Sequence, residues 1–175
     1  MKARYFFAIA ASAIVLASCQ QKAKTDKAQQ EKSQEFKLEM TDFTMKSIDG
    51  TDISALQEVK KNKLTLIDFW ASWCGPCRQE MPNVINIYNE YKDKGFGIIG
   101  VSLDQNEKAW KDAVEEMGLK WIQLSDLQGW NNAAARTYGV NAIPFTMIVD
   151  NTGYIVAVNL RGEQLKQYIA GKLND

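Results

Sequence analysis

The amino-acid sequence predicts an α/β domain with a mixed central sheet and helices on both of its faces. Two runs, 64–70 and 96–103, are almost continuously apolar, as expected of strands buried on both sides. Segments with helical periodicity follow each run, and this strand–helix–strand alternation favours parallel neighbours. The turn-forming run 150–153 (DNTG) joins two further strands directly, which predicts an antiparallel hairpin. The sheet should therefore contain both kinds of pairing.

The other predicted elements follow from local patterns along the chain. Residues 43–48 alternate weakly before Asp49-Gly50, which predicts an N-terminal β-hairpin extension. A helix should begin after Cys74 and continue to about Lys94, with apolar residues on one stripe. The remaining predictions are a helix over 106–117 closed by Gly118, a short strand over 121–124, a helix over 130–138 closed by Gly139, strands over 145–149 and 154–160, and a final helix over 163–173.

Composition excludes several kinds of chemistry. The 175-residue chain has 21 basic and 21 acidic residues, so no basic excess indicates a nucleic-acid partner. It contains no histidine, which removes Ser-His-Asp and Cys-His nucleophile pairs as well as histidine-containing metal sites. Proton transfer must then come from carboxylates, thiols, Lys, Tyr or water. We expect no metal and no nucleic acid to bind.

The first 18 residues are interpreted as a signal peptide. Lys2 and Arg4 precede an apolar run over 5–17 that is too short to span a bilayer. The run ends in LASC, residues 16–19, which resembles the lipobox of bacterial lipoproteins. The resemblance implies that Cys19 is acylated and becomes the mature N-terminus. A retained N-terminal anchor and an ordinary signal peptide with an unrelated cysteine are the alternatives.

Residues 20–35 (QQKAKTDKAQQEKSQE) are interpreted as a flexible tether between Cys19 and a domain over 36–175. Alanine is the only apolar residue type in this segment, so it cannot bury enough surface to order itself. A flexible coil of this length would span roughly 20–25 Å. A solvated helix is the alternative. We expect an exported protein anchored to the cell envelope by lipid, and Gln20 favours the outer membrane by the enterobacterial sorting rule.

Residues 68–82 (DFWASWCGPCRQEMP) contain the candidate catalytic residues. A Cys-x-x-Cys pair after a buried strand and before a helix indicates a redox motif. Cys74 lies at the predicted helix N-terminus, where the backbone N–H groups and the helix dipole favour a thiolate, and Cys77 lies one turn in. The alternatives are a structural disulfide, which would add little stability across so short a loop, and half of a zinc site, which would need two more ligands.

The pentapeptide WCGPC, residues 73–77, resembles the active site of thioredoxins. The flanking residues 69–74 and 77–82 resemble the TlpA/ResA-like membrane-anchored branch, and the resemblance extends over about 43–173. It implies a thioredoxin-like fold and a thiol–disulfide oxidoreductase that needs no prosthetic group beyond the redox-active Cys74–Cys77 pair. Gly75-Pro76 matches reducing members, so the expected substrates are disulfide-containing proteins and the expected electron donor is a membrane thiol transporter.

Two carboxylates are candidates for tuning the cysteines. Asp68 sits inside an apolar strand, where burial should raise its pKa and let it take a proton from Cys77; thioredoxins have a similar aspartate. The alternative is a polar residue bonded to backbone or water. Glu80 shares a helix face with Cys77, and the ResA-like branch has a glutamate here, which implies an influence on cysteine ionisation. The alternative is a solvated helix carboxylate.

The substrate groove is assigned largely by resemblance. Gly75 and Pro76 lie between the cysteines, and Trp73 is a candidate wall of the groove, with core packing as its alternative. The resemblance implies a cis Ile143–Pro144 bond beside the sulfurs, which would leave the Ile143 backbone free to pair with a substrate strand. A trans proline at a strand start is the alternative. Core packing is the interpretation for four tryptophans: Trp70, Trp110, Trp121 and Trp130.

Three other functions fit parts of the pattern. Peroxiredoxins share the broad fold and a stretch similar to 69–71, but they need a threonine three residues before the reactive cysteine, where this chain has Ala71. A disulfide-forming oxidase on the same fold would reverse the direction of electron flow. A redox-inert binding or chaperone module would not need Cys74 and Cys77 at all, which the intact pentapeptide argues against.

Overall fold

A mixed sheet forms the centre of the computed structural model, which describes residues 38–174. Its eight strands within that range are β1 (Leu38–Glu39), β2 (Thr44–Ser47), β3 (Asp52–Ser54), β4 (Leu64–Trp70), β5 (Phe96–Ser102), β6 (Ile122–Ser125), β7 (Phe145–Asp150) and β8 (Tyr154–Val158). They lie in the order β1-β8-β7-β4-β5-β6-β2-β3. The pairs β4–β5 and β5–β6 are parallel and the others are antiparallel, so the predicted mixed sheet is confirmed.

The helices of the described range are α1 (Ala55–Val59), α2 (Gly75–Tyr91), α3 (Glu107–Met117), α4 (Ala133–Thr137) and α5 (Gly162–Leu173). Two 3-10 turns, Lys92–Lys94 and Gly129–Asn131, accompany them. α2 begins directly after Cys74 and buries one stripe against the sheet. It ends at Tyr91, a turn before the predicted limit, because the chain tightens into the first 3-10 turn and leaves it through Gly95 at φ 101°.

Helices cover both faces of the sheet. All seven residues of β4 are buried, and adjacent residues of a strand point to opposite faces. Asp68 is close enough to Glu80 on α2 for that carboxylate to raise the Asp68 pKa. Its neighbour Phe69 packs edge-to-face on Tyr138, which directly follows α4. The predicted two-sided arrangement is therefore confirmed, with α2 on one face and α4 on the other.

The predicted N-terminal hairpin is confirmed as β2 and β3, which pair antiparallel across a turn containing Asp49 and Gly50. Gly50 has φ 86°, a conformation that glycine adopts without strain. The hairpin continues the main sheet through the pairing of β2 with β6. Strand β1, which pairs with β8 at the opposite edge, was not predicted because two residues carry no readable alternation.

Helix α1 was also missed, because five residues are too few for a helical period. Its start is fixed by side chains instead. Ser54 is the N-cap and accepts a hydrogen bond from the Gln57 N–H at 3.2 Å. Asp42 accepts from the Ser54 hydroxyl at 2.8 Å and from the Leu56 N–H at 2.9 Å, so it ties the preceding loop to the helix.

The prediction of one helix over 130–138 is wrong. The chain forms a 3-10 turn over Gly129–Asn131 and then the separate helix α4. Asn132 divides them: it has φ −48° and ψ 130°, and its side-chain oxygen accepts from the Ala135 N–H at 3.0 Å. Its amide nitrogen donates to Asp126 at 2.9 Å. A buried asparagine that caps the second segment cannot also continue the first.

Smaller differences concern strand ends. The strand predicted over 121–124 occupies Ile122–Ser125, and the last strand ends at Val158 rather than at residue 160. Such shifts of one or two residues are usual at element ends. The predictions for the signal peptide, Cys19 and the tether lie outside the described residues. None of the helices in residues 38–174 has the length and hydropathy that a membrane-spanning segment requires.

Candidate active site

The topology brings five segments together at one end of the strands. Strands β4, β5 and β6 are parallel and end together, β7 begins there, and β8 ends there beside it. The registers show this directly, since Trp70 lies opposite Ser102 and Phe69 lies opposite Phe145. We call this end of the strands the reactive edge. It is defined by residues 71–77, 103–106, 126–132, 141–144 and 159–162, and it does not include the outermost strands β1 and β3. The carboxyl ends of parallel strands are the usual position for a site in α/β proteins.

Cys74 and Cys77 are joined by a disulfide, with an S–S distance of 2.01 Å and Cα atoms 5.3 Å apart. Cys74 is the N-cap of α2, and its sulfur accepts from the Cys77 N–H at 3.2 Å. In the reduced protein the same N–H and the helix dipole favour a thiolate at Cys74. Cys74 is 5% exposed and Cys77 is 1% exposed, so Cys77 is the more buried of the two cysteines.

The residues predicted to contact substrate lie around the disulfide. Trp73, Gly75 and Pro76 are exposed, and Pro76 occupies the first turn of α2 without costing a helical hydrogen bond. The Ile143–Pro144 bond is cis, which confirms that prediction. Ile143 is partly buried and Pro144 is buried at the start of β7. Their role in binding substrate stays a prediction.

Asp68 is a buried carboxylate, 4% exposed, in the middle of the sheet. Its pKa is raised to about 7: burial is the largest cause, the Glu80 carboxylate also raises it, and the Arg161 guanidinium lowers it. Cys77 lies three residues before Glu80, so it shares one face of α2 with the carboxylate that acts on Asp68. The predicted burial and raised pKa are confirmed, and the position suits a group that exchanges a proton with Cys77.

Glu80 is not a solvated helix carboxylate, which was the alternative interpretation. It is partly buried, and Oε1 accepts from the Gly162 N–H at 2.7 Å and from the Asn83 side chain at 2.8 Å. Glu80 therefore fastens the N-terminus of α5 to α2. Its electrostatic effect falls on Asp68. An effect on the cysteines themselves stays a prediction.

Arg161 is a site residue that the sequence analysis missed. It is the N-cap residue of α5, and its guanidinium donates to the Pro144 carbonyl oxygen. The same charge lowers the pKa of Asp68. Arg161 thus connects the loop containing the cis proline to the buried carboxylate. No local motif distinguishes it, because its partners are far away in the sequence.

Asp104 was also missed, and it fixes the loop that leads into Cys74. Its carboxylate accepts from the Ser72 N–H at 2.9 Å, from the Ser72 hydroxyl at 2.6 Å and from the Ser102 hydroxyl at 2.7 Å. Asp104 is 1% exposed, so these charge-assisted bonds replace its hydration. The available signal was a charged residue two positions after the end of the buried strand β5.

The interpretation of Trp130 as a core residue is wrong. It is 48% exposed and its ring lies 6.2 Å from that of Trp73, which is 55% exposed. The cause is the 3-10 turn over Gly129–Asn131, which turns the side chain outward where a continuous helix was expected. Core packing is confirmed for the other three tryptophans: Trp70, Trp110 and Trp121 are buried.

Within residues 38–174, no group of three or more Cys, Asp or Glu side chains is placed to hold a metal ion. The reactive groups at the reactive edge are the two thiols that Cys74 and Cys77 carry when reduced. A thiolate at a helix N-terminus can attack a disulfide, and a second thiol one turn away can resolve the product. A carboxylate whose pKa is about 7 can carry the proton.

Comparison with known proteins agrees with this chemistry. The chain is 34% identical over 135 residues to the thiol-disulfide oxidoreductase ResA of Bacillus thuringiensis, an alignment that covers 77% of this chain and 75% of the relative. It is 35% identical over 136 residues to the thioredoxin-like protein YneN of Bacillus subtilis, covering 76% and 75%. The thioredoxin domain of a Bacteroides vulgatus thiol-disulfide oxidoreductase superposes with a TM-score of 0.72 at 34% identity, covering 78% of this chain and 96% of that one.

The fold, the Cys74–Cys77 disulfide and these relatives define a thiol–disulfide oxidoreductase with a thioredoxin-like domain. The family model named Redoxin matches residues 19–170. The chain belongs to the Redoxin family.

Proposed function

We propose that the protein reduces disulfide bonds of protein substrates outside the cytoplasm, held at a membrane by lipid on Cys19. The observation that carries the proposal is the Cys74–Cys77 disulfide at the N-terminus of α2, where Cys74 is the N-cap and its sulfur accepts from the Cys77 N–H. Disulfide-containing proteins are the substrate class that this activity implies. No prosthetic group takes part, because the two cysteines store the electrons.

The first step joins enzyme and substrate. The Cys74 thiolate attacks one sulfur of the substrate disulfide, a new S–S bond forms, and the other substrate sulfur leaves as a thiolate that takes a proton from solvent. The N–H of Cys77 and the N-terminus of α2 stabilise the attacking thiolate. Cys74 is the more exposed of the two cysteines, which favours it over Cys77 as the attacking residue.

The second step releases the product. Cys77 loses its proton and attacks the Cys74 sulfur, the Cys74–Cys77 disulfide forms, and the second substrate sulfur leaves as a thiolate that takes a proton from solvent. Asp68 takes the Cys77 proton, because a carboxylate with a pKa of about 7 is partly ionised at neutral pH. Two electrons pass to the substrate in each cycle. Two more must then arrive from a donor, for which we propose a membrane thiol transporter.

Location follows from the N-terminal sequence. The signal peptide and the LASC sequence over 16–19 support export and acylation of Cys19, and the polar run over 20–35 supports a tether between lipid and domain. Gln20 supports the outer membrane over the inner one. An extracytoplasmic reductase works in oxidising surroundings, so it depends on a continuous supply of electrons.

The test is the reduction potential of the Cys74–Cys77 pair. The Cys19→Ser protein, which cannot be acylated there, is equilibrated with glutathione and dithiothreitol buffers and the free thiols are counted. A potential near or below thioredoxin's, about −270 mV, supports a reductase. A potential near that of strong oxidants, about −120 mV, would reverse the direction and make the protein a disulfide-forming enzyme. Cys77→Ser is the control, since it must accumulate a mixed disulfide at Cys74.

A further inference from the structure

We propose that Trp73 and Trp130 form a docking platform for a large apolar side chain of the substrate polypeptide, within two residues of the cysteine that is reduced. The platform would make the enzyme selective for disulfides flanked by such residues. This inference rests on the proposed function, because it names the substrate feature that the same site recognises.

The two rings are unusual in their exposure. Among residues 38–174, the large apolar side chains that are about half exposed are Leu38 at 52%, Trp73 at 55%, Trp130 at 48% and Val158 at 51%. The two tryptophans lie together, with ring centroids 6.2 Å apart and planes inclined at 56°. Paired exposed indoles form an apolar patch rather than isolated surface residues, and such patches mark binding sites.

The loop that carries Trp130 is built to hold it in place. The Asp126 carboxylate accepts from the Gln128 N–H at 3.1 Å, from the Asn132 side chain at 2.9 Å and from the Ala133 N–H at 2.9 Å. Leu127 adopts φ 58°, which is uncommon for a residue with a side chain. The 3-10 turn between these anchors presents the indole to solvent. Because the backbone that carries the indole is already held by these bonds, little backbone entropy is lost on binding.

The position of the platform ties it to the reacting sulfur. Trp73 directly precedes Cys74, so a substrate joined to Cys74 must pass beside this ring. Residues one or two positions from the substrate cysteine lie within about 6.6 Å of it along an extended chain, which is the distance over which they pass Trp73. The Trp130 ring centroid is 6.2 Å from that of Trp73, so a large side chain there can contact both indoles.

Local chemistry favours an apolar occupant over a charged one. The exposed residues next to Cys74 on α2, Gly75 and Pro76, are uncharged. The nearest cation along the helix, Arg78, is already paired with Glu116 through two contacts of 2.9 Å. Aromatic and aliphatic side chains gain most from contact with indole faces. The occupant is thus a phenylalanine-like or leucine-like side chain of the substrate.

The experiment compares two peptide disulfides that differ only in the residues beside each cysteine, phenylalanine in one and serine in the other. We expect the wild type to reduce the phenylalanine peptide with the higher kcat/KM. Trp130→Ala should lower the ratio of the two kcat/KM values about tenfold, and Trp130→Phe should restore most of it. Leu38→Ala is the matched control, since Leu38 is equally exposed but lies on β1 at the edge of the sheet, and its ratio should equal that of the wild type.

Binding is measured separately by NMR, using the phenylalanine peptide with its cysteines replaced by serine. The indole N–H signals of Trp73 and Trp130 should shift on titration, while those of the buried Trp110 and Trp121 should not. Equal kcat/KM for the two peptides, or no shift at Trp130, overturns the platform. The wild type is also assayed with hydroxyethyl disulfide. No reduction of that small disulfide overturns the proposed function itself, whereas reduction of it without peptide selectivity overturns the platform alone.

Discussion

The protonation state of the Asp68 carboxyl group depends strongly on its surroundings. It lies on the central strand β4, whose seven residues are all buried, and burial raises its pKa to about 7. Near neutral pH the carboxyl group is therefore half protonated, which limits the cost of burying its charge. The same property suits Asp68 to its proposed role as proton acceptor for Cys77. That proposal makes one group responsible for both catalysis and a pH dependence of stability.

We expect the free energy of unfolding of the oxidised protein to fall as pH rises from about 4 to about 8. Asp68 is protonated below pH 7 in the folded state but ionises near its model value of 3.8 when unfolded, so the folded state binds the extra proton between these values. Relative to Asp68→Asn, the decline should be on the order of 4 kcal/mol. Urea denaturation at several pH values measures it. The contributions of all other carboxylates are the same in the wild type and in Asp68→Asn, so they cancel in the difference. Parallel curves of unfolding free energy against pH for the two proteins would contradict the raised pKa of Asp68.

Arg161 should set the pKa of Asp68 from the other side of the site. Its guanidinium lowers that pKa, so Arg161→Met should raise the Asp68 titration midpoint above about 7. The chemical shift of the Asp68 carboxyl carbon, followed by NMR against pH, measures the midpoint. Arg161→Lys keeps the charge and should stay nearer the wild type. A midpoint that is unchanged or lower in the methionine variant would show that Arg161 does not act on Asp68.

Site residues in local motifs could be predicted from the sequence, whereas those whose partners lie far away in the sequence could not. Cys74, Cys77 and Pro144 stand in motifs that resemble a known family, so they were found. Arg161 contacts a carbonyl 17 residues away, and Asp104 contacts a serine 32 residues away. Nothing near either residue indicates its partner, because only the folded sheet brings the segments together.

The loop that leads into α2 depends on Asp104, which holds three donors in a buried position. Asp104→Ala leaves them without an acceptor and should lower the free energy of unfolding by about 3 kcal/mol. Urea denaturation of the oxidised proteins measures the loss. Asp112→Ala on α3 is the control: it breaks an exposed ion pair with Lys108 and should cost at most about 1 kcal/mol. Equal losses in the two variants would show that Asp104 has no special role.

Elements of the sheet were predictable where burial leaves a continuous apolar run, as in β4 and β5. Short elements defined by side-chain caps were not. Asn132 ends one segment and starts another because its side chain bonds to Asp126 and to the Ala135 N–H. The periodicity over 130–138 shows the spacing of apolar residues, but it does not show that the Asn132 side chain takes a backbone N–H and so interrupts the helix. The exposure of Trp130 was missed for the same reason.

Attachment to the membrane is a property of the whole chain and is tested through Cys19. In the proposed function the acyl group supplies the attachment, because the chain has no excess of basic over acidic residues and its charge does not favour anionic lipid. Cys19→Ser should move the protein to the soluble fraction of cells that express it and abolish incorporation of labelled palmitate. Cys74→Ser should remain with the membranes. A Cys19→Ser protein that sediments with membranes would exclude acylation as the anchor.

The reactive edge is assembled from segments made at very different times during synthesis. A chain grows from its N-terminus, so Cys74 and Cys77 exist while more than half of the residues are still to be added. Until α5 is made, Pro144 and Glu80 lack the partners that Arg161 and Gly162 supply. The close spacing of Cys74 and Cys77 gives each thiol a high effective concentration for the other, so oxidation of a chain that has not finished folding favours the native pair over a bond to another protein.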